Sequence, residues 1–198
     1  VTLMVIVPVV EGQGEVQAVP NLLHRIVTAA APGMALRVSA PIRVKAGSFL
    51  QDDEYFRRHI LLAGAKAAQS QGHVLILLDC EDDCPARLGS ALLQRAGEVR
   101  SDVSVIVCLA HREYETWFLT AALSLRGCCG LSHQLTPPAD PEAHRGAKEW
   151  LSRHMPYPYD PVQHQLDLTR AMNLEQAQQN QSFRRFVRKI SETLPGNA

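Results

Sequence analysis

Three short apolar runs, each ending in a loop that carries acids, constrain this chain more than any other feature. Leu3–Val10 (LMVIVPVV), His73–Leu78 (HVLILL) and Val103–Leu109 (VSVIVCL) are rich in β-branched residues and show continuous rather than alternating hydrophobicity. That texture marks strands buried on both faces, as in a parallel sheet with helices on two sides. Ala35–Val44, with Val38, Ile42 and Val44, reads as a further strand. Between the strands lie segments with helical spacing. Val19, Leu22, Leu23, Ile26 and Val27 follow the turn Glu11-Gly12-Gln13-Gly14-Glu15. Asp52–Gln71 puts Phe56, Ile60, Ala63 and Ala67 on one face, opens with three acids at its positive end and stops at Gly72. Pro85–Glu98 and Glu113–Leu125 complete the series. The order βαβαβαβα over residues 3–125 predicts a three-layer α/β fold with a mostly parallel central sheet of about four strands and right-handed crossovers.

After Gly127 the texture changes. Ser132–His144 holds three prolines and no period, so it reads as a loop. Gly146–His154, Asp160–Met172 and Ser182–Leu194 have helical spacing, interrupted at Met155-Pro156-Tyr157-Pro158-Tyr159. The expected organisation is an α/β core over 1–126 and a helical C-terminal extension over 127–198 packed on it.

Composition removes several classes. A length of 198 residues suits one ordinary domain. Lys+Arg and Asp+Glu both number 20, so no overall positive field draws the chain to nucleic acid, although a local basic patch is compatible with the total. Aromatic residues are 6%, too few for a stacking platform along a single strand. The cysteines Cys80, Cys84, Cys108, Cys128 and Cys129 are odd in number and form no C-x-x-C pair, which points to a reduced, cytoplasmic compartment. No apolar run reaches the roughly 18–20 residues of a membrane span. The opening run lacks a basic flank and a small-residue cleavage site, so a first strand is expected there rather than a signal peptide.

The acids of the α/β half are placed unevenly. Glu11 and Glu15 follow the first strand; Asp79, Glu81, Asp82 and Asp83 follow the third; Glu113 and Glu115 follow the fourth. Open α/β sheets bind ligands beyond the carboxyl ends of their strands, so these clusters are expected to converge on one edge. Two charges at ~4 Å repel by roughly 4 kcal/mol at an effective dielectric near 20. A divalent cation with oxygen ligands offsets that repulsion, and Mg²⁺ commonly takes one or two carboxylates together with waters and phosphate oxygens.

Other residues carry weaker signals. Arg184, Arg185, Arg188 and Lys189 form a stripe opposite Phe183, Val187 and Ile190, suited either to phosphates or to solvent. Lys148 is a candidate phosphate contact or a solvated helix lysine. His111, near the fourth strand's end, is a proton carrier or a hydrogen-bonded cap. Trp117, Phe118 and Leu119 read as core. Cys80 and Cys84 lack suitable zinc co-ligands, since adjacent Cys128 and Cys129 rarely share one tetrahedral ion. No G-K-[ST] follows the Gly-rich turn, so it is not a P-loop.

These motifs resemble a TOPRIM domain. Val10-Glu11-Gly12-Gln13-Gly14-Glu15 matches the glutamate turn after that family's first strand. Asp79-Cys80-Glu81-Asp82-Asp83 matches its D-x-D loop, with Glu81 where the family usually has Asp. Tyr114-Glu115-Thr116-Trp117-Phe118 and Ser182-Phe183-Arg184-Arg185-Phe186 resemble an uncharacterised TOPRIM-like family often encoded beside AAA ATPases. With no nucleophilic-tyrosine domain and no primase zinc module, the resemblance implies hydrolysis: a Mg²⁺- or Mn²⁺-dependent endonuclease, on DNA in preference to RNA, in a phage-defence setting with an AAA-type ATPase as partner. On that reading Asp79 and Glu81 bind metal with Asp83 as a further ligand. Glu11 binds metal or acts as general base, Glu15 holds a second ion, and Glu115 is the catalytic, metal-binding acid from the fourth strand. Lys148, Arg184, Arg185, Arg188 and Lys189 are the nucleic-acid contacts. The alternatives are a non-catalytic TOPRIM-like module that binds an ATPase or nucleic acid, and a phosphohydrolase or nucleotidyltransferase acting on small nucleotides.

Overall fold

The computed structural model describes residues 3–194. Strands β1 (Leu3–Val10), β2 (Ala35–Val38), β3 (Ile42–Arg43), β4 (His73–Asp79) and β5 (Ser104–Ala110) form one sheet. Its order is β2-β1-β4-β5, with β3 also paired to β1, and every ladder is parallel. The expected α/β class with a parallel sheet is therefore observed.

Alternate residues of each strand feed two separate cores, which makes the layers. Met4, Ile6 and Val10 of β1, Leu75 and Leu77 of β4, and Ile106 and Cys108 of β5 face one side. Val7 and Val9, Val74, Ile76 and Leu78, and Val107 and Leu109 face the other. On the second side lie α2 (Ala46–Gln51), α3 (Asp53–Ala68) and α4 (Pro85–Val99), contributing Phe49, Phe56, Ile60 and Leu92. The Asp52 side chain accepts from the Glu54 and Tyr55 amides, both at 3.0 Å, and so caps α3. Such caps contribute about 1 kcal/mol. On the first side lie α1 (Glu15–Ala30), α5 (Thr116–Thr120), α6 (Ala147–His154), α7 (Pro161–Ala171), α8 (Leu174–Ala177) and α9 (Gln181–Glu192). Leu168 of α7 and Phe183, Phe186 and Ile190 of α9 share that core with α1 and the sheet.

Two expected elements are broken. The strand expected over 35–44 divides into β2 and β3. Ile6 pairs with Val38 but Val9 pairs with Ile42, so the outer chain carries one residue more than β1. The carbonyls of Ile6 and Val10 accept from Ser39 (2.9 Å) and Val44 (2.8 Å). By the strand's two-residue period Pro8 turns the same way, presenting a nitrogen without a proton to the gap. The bulge thus falls where β1 has no donor to offer. The helix expected over 113–125 is also divided: Glu113–Glu115 form a turn, α5 is short, and Ala122–Leu125 is a 3-10 turn. Trp117, Phe118, Leu119, Ala121, Ala122 and Leu125 are all fully buried, so the segment has little polar face with which to lie as a surface helix.

Among the described residues no helix is long and apolar enough to cross a membrane.

Candidate active site

Because the strands run parallel, the carboxyl ends of β1, β3, β4 and β5 lie along one edge, and the acidic loops meet there. The first loop, after β1, folds on itself. Glu15 Oε2 accepts the backbone N–H of Glu11 (3.1 Å) and of Gly12 (3.2 Å), so this acid, 4% exposed, holds the turn closed. Gly14 is required by closeness to α7. A Cβ there would stand 2.3 Å from Gln165 Oε1 and 2.4 Å from the Pro161 carbonyl.

The second loop continues β4. Asp79 Oδ1 accepts the Tyr114 N–H at 2.9 Å, which ties the ends of β4 and β5 together. Cys80 donates to the Ala110 carbonyl and Glu81 to the Arg112 carbonyl, both at 3.0 Å. Glu81 (φ 45°) and Arg112 (φ 63°) both adopt the left-handed region, an arrangement that non-glycine residues keep only when their surroundings enforce it. Part of that enforcement comes from Asp82, which pairs with Arg112 (3.0 Å) and Arg145 (2.7 Å). Asp83 leaves the cluster. Its N–H closes a turn on the Cys80 carbonyl (2.8 Å), and the residue lines a separate cleft with Cys84, Arg87 and Leu88. The expected third ligand of this loop does not line either cleft that contains Asp79.

The third loop, after β5, supplies Glu113 and Glu115. Glu113 Oε1 accepts the Ala147 N–H at 2.6 Å, at the start of α6. Lys148 of α6 then reaches Glu113 Oε2 at 2.9 Å and Glu115 Oε2 at 3.4 Å. Glu115 is 1% exposed, and its other oxygen accepts from Tyr159 Oη (2.9 Å) and Gln165 Nε2 (3.3 Å).

Charge is concentrated here beyond what the local cations balance. Burial is the largest influence on every acid below and pushes each one up. Glu15 reaches about 7, with Glu115 and Glu11 adding to the rise against the Gly12 and Glu11 amides. Asp79 is held well above the usual carboxylate range, with Glu15, Glu115 and Glu11 reinforcing burial. Glu11 rises with help from Glu81, and Glu115 rises although Lys148 and Tyr159 oppose it. Burial acts downward on Lys148, but Glu115, Glu113 and Asp79 outweigh it and hold the ammonium firmly protonated.

Two adjoining clefts open on this cluster, and both are lined by Asp79 and Lys148. One, of about 340 Å³, adds Glu81, Glu113 and Arg145; the other, of about 310 Å³, adds Glu11, Glu15, Arg43 and Gln165. Among the described residues, the carboxylates of Glu11 and Glu81 accept no hydrogen bond and form no ion pair, and Asp79 uses one oxygen. Hard oxygen donors of this kind fit Mg²⁺ or Mn²⁺. Among the described residues no three acids, histidines or cysteines stand close enough together to hold an ion by themselves. Most of a cation's coordination sphere at these donors would be left to other oxygen ligands.

The expected nucleic-acid contacts divide. Lys148 belongs to the carboxylate cluster. Lys189 Nζ donates to the Val107 carbonyl at 2.6 Å on the edge strand β5, and the residue lines a cleft with Arg185 and Arg188. Arg184, Arg185 and Arg188 are exposed on α9, Arg188 with a loose partner in Glu192 at 3.5 Å. His111 stands 4.0 Å from Cys80 Sγ. Sequence reasoning missed Arg43, Tyr159 and Gln165. Arg43 donates to the Glu11 carbonyl and to Gln13, both at 3.2 Å, and its place at a strand's end was a usable signal. Tyr159 and Gln165 come from segments distant in sequence and carried none.

A family model described as Domain of unknown function (DUF4276) matches residues 10–191, and the chain belongs to that family. No curated protein and no solved structure matches it.

Proposed function

We propose that this member of the DUF4276 family is a Mg²⁺- or Mn²⁺-dependent nuclease with TOPRIM-like organisation, hydrolysing phosphodiester bonds in nucleic acid. One observation carries the reading: Glu11, Glu15, Asp79 and Glu115, from three strand ends, are gathered and desolvated at one sheet edge, where among the described residues one ammonium contacts Glu113 and Glu115. Structural hydrogen bonds alone do not call for this concentration of charge, since Glu15, Glu115 and Glu11 all push Asp79 up.

In this reading Asp79, with Glu11 on one side or Glu81 on the other, would hold the cation together with water and substrate oxygens. When bound, it supplies Lewis acidity toward a phosphate oxygen and neutralises charge there. Alternatively, Glu11, whose affinity for a proton is raised by burial and by Glu81, takes a proton from an attacking water. Glu115 acts through another group: with Tyr159 and Gln165 on one oxygen, it aims Lys148 into the clefts. Lys148, 40% exposed, then donates to a non-bridging phosphate oxygen. Glu15 shapes the turn that presents Glu11, in place of the second ion expected of it. Arg43 on one side and Arg145 on the other supply positive charge along the substrate's path. The TOPRIM resemblance adds DNA as first substrate, an AAA-type ATPase as partner and a phage-defence role to the proposal.

The second reading is a binding module that does not cut, and the absence of a three-acid group among the described residues is what speaks for it. Incubation of plasmid DNA and structured RNA with the full chain and Mg²⁺ or Mn²⁺ separates the two, with EDTA and Asp79→Asn as controls. Cleavage lost in both controls supports the nuclease. Absence of cleavage together with absence of Mn²⁺ binding by calorimetry supports the module.

A further inference from the structure

Adjacent side chains ordinarily diverge, to opposite faces in a strand and by about a quarter turn or more in a helix. Cys128 and Cys129 do not. Their sulfurs stand 3.7 Å apart, at van der Waals contact. The backbone makes this possible: Gly127 (φ 77°), Cys129 (φ 50°, ψ 32°) and Gly130 (φ 76°) all lie in the left-handed region, within one tight turn. The Gly127 N–H donates to the Leu131 carbonyl and the Leu131 N–H to the Cys128 carbonyl, both at 2.9 Å. Tyr157 Oη donates to the Cys129 carbonyl, also at 2.9 Å, and Cys128 Sγ rests 3.8 Å from the Asp167 carbonyl of α7. Both thiols are half-buried, so a small reagent can reach them. The other cysteines lack this company: Cys80 and Cys108 are buried and Cys84 is exposed with no thiol beside it.

We propose that Cys128 and Cys129 are a vicinal dithiol that exchanges with low-molecular-weight disulfides and closes to an intramolecular disulfide. The Cys128 thiol releases its proton to solvent, and the thiolate attacks one sulfur of glutathione disulfide. A Cys128–glutathione disulfide forms and one glutathione thiolate leaves. Cys129 then loses its proton and attacks Cys128 Sγ, forming the Cys128–Cys129 bond and expelling the second glutathione thiolate. The two cysteines are oxidised by two electrons and one small disulfide is reduced to two thiols. Burial pushes both thiols up, Cys129 to about 12, which makes Cys128 the first to react and the exchange faster at alkaline pH. Adjacent Cα atoms lie about 3.8 Å apart, below the usual disulfide span of about 4.4 Å or more. The closed ring is therefore strained and readily reopened by thiols, as regulatory rather than structural bridges are. This assignment is independent of the nuclease reading.

The test uses the folded full chain with glutathione disulfide at about pH 8.5, close to the ordinary thiol pKa. Remaining thiols are then alkylated and the protein is cut with trypsin. Cleavage after Arg126 and Arg145 releases residues 127–145, which hold Cys128 and Cys129 and no other cysteine. The expected peptide lacks two hydrogens, carries no alkyl group, and gains two alkyl groups if reduced first. Exposed Cys84 should keep glutathione, as should Cys128 in Cys129→Ser. A wild-type 127–145 peptide that keeps glutathione, or that is doubly alkylated while Cys84 has reacted, overturns the proposal.

Discussion

The Lys148 ammonium stands 3.4 Å from Oε2 of Glu115, a carboxylate with 1% of its surface exposed. Removing the cation leaves Glu113 and Glu115 without their partner, and the buried Glu115 must take up a proton or remain charged in a poorly solvating site. Breaking a buried pair costs about 3–5 kcal/mol. Lys148 is 40% exposed, so a smaller loss of roughly 1–3 kcal/mol is expected for Lys148→Met. Cleavage should fall by at least about a hundredfold, the usual effect of losing one transition-state donor. Urea unfolding and single-turnover cleavage measure the two effects. A variant that cuts at the normal rate would remove Lys148 from the mechanism.

Asp79→Asn should separate stability from function. An asparagine Oδ1 retains the bond from the Tyr114 N–H, now at 2.9 Å, while the charge repelled by Glu15, Glu115 and Glu11 disappears. The melting temperature should hold or rise, by up to about 1 kcal/mol in equivalent stability. Divalent-cation binding and cleavage should both vanish. A clear fall in stability with binding intact would mean that Asp79 is a structural strand cap.

The acids also set a pH dependence. An unfolded glutamate titrates near 4.5, whereas Glu15 in the fold is pushed to about 7 by burial first and by Glu115 and Glu11. Between those values the native state binds the extra proton. The associated stability is complete below the unfolded value and is lost as pH rises through about 7. For Glu15 alone the difference corresponds to about 3 kcal/mol, and Glu11, Asp79 and Glu115 shift in the same direction. In EDTA the melting temperature should fall from about pH 5 to about pH 8, and Mg²⁺ or Mn²⁺ should restore it at the alkaline end. Scanning calorimetry across that range is the measurement, and a melting point that climbs with pH would contradict the assignment.

The layers were legible because β1, β4 and β5 are apolar without interruption, a pattern set by burial on both faces. The edge where Glu11, Asp79 and Glu115 meet was legible for a related reason, since parallel strands place successive strand ends together. What escaped was long-range pairing. Nothing near Glu115 in sequence announces that Tyr159 and Gln165 hold one of its oxygens, or that Lys148 takes the other. The excursion of Asp83 depends on a turn closed by its own backbone N–H, which a count of acids does not register. Lys189 looked like its arginine neighbours, but only the position of β5 reveals that it spans to the Val107 carbonyl.

That difference on α9 can be measured. Arg184, Arg185 and Arg188 are exposed, and the Arg188–Glu192 pair at 3.5 Å is a surface interaction of little strength. Replacing the three arginines with alanine should leave stability within about 0.5 kcal/mol. If they touch phosphates, affinity for nucleic acid should fall, and its logarithmic salt dependence should flatten by about 1 for each phosphate no longer neutralised. Lys189→Met should do the opposite, losing the bond to the β5 edge at a cost of about 1 kcal/mol with the salt slope unchanged. An unchanged slope in the triple variant would remove α9 from the nucleic-acid surface.

Glycine positions give the most local check on how the Glu11–Glu15 turn is seated. At Gly14 a methyl group would stand 2.3 Å from Gln165 Oε1 and 2.4 Å from the Pro161 carbonyl, and the second of these is backbone that cannot swing aside. Gly14→Ala must therefore push the Glu11–Glu15 turn away from α7, at about 1–3 kcal/mol for overpacking. Because that turn presents Glu11, the same displacement should weaken divalent-cation binding. A methyl group at Gly97, inside α4, would meet nothing within 4 Å. Gly97→Ala should instead stabilise by about 0.5–1 kcal/mol through helix propensity alone. Opposite signs for these two changes, read by chemical unfolding beside Mn²⁺ titration, would establish that the turn is braced on α7. A tolerated Gly14→Ala with normal Mn²⁺ affinity would show that α7 does not brace it.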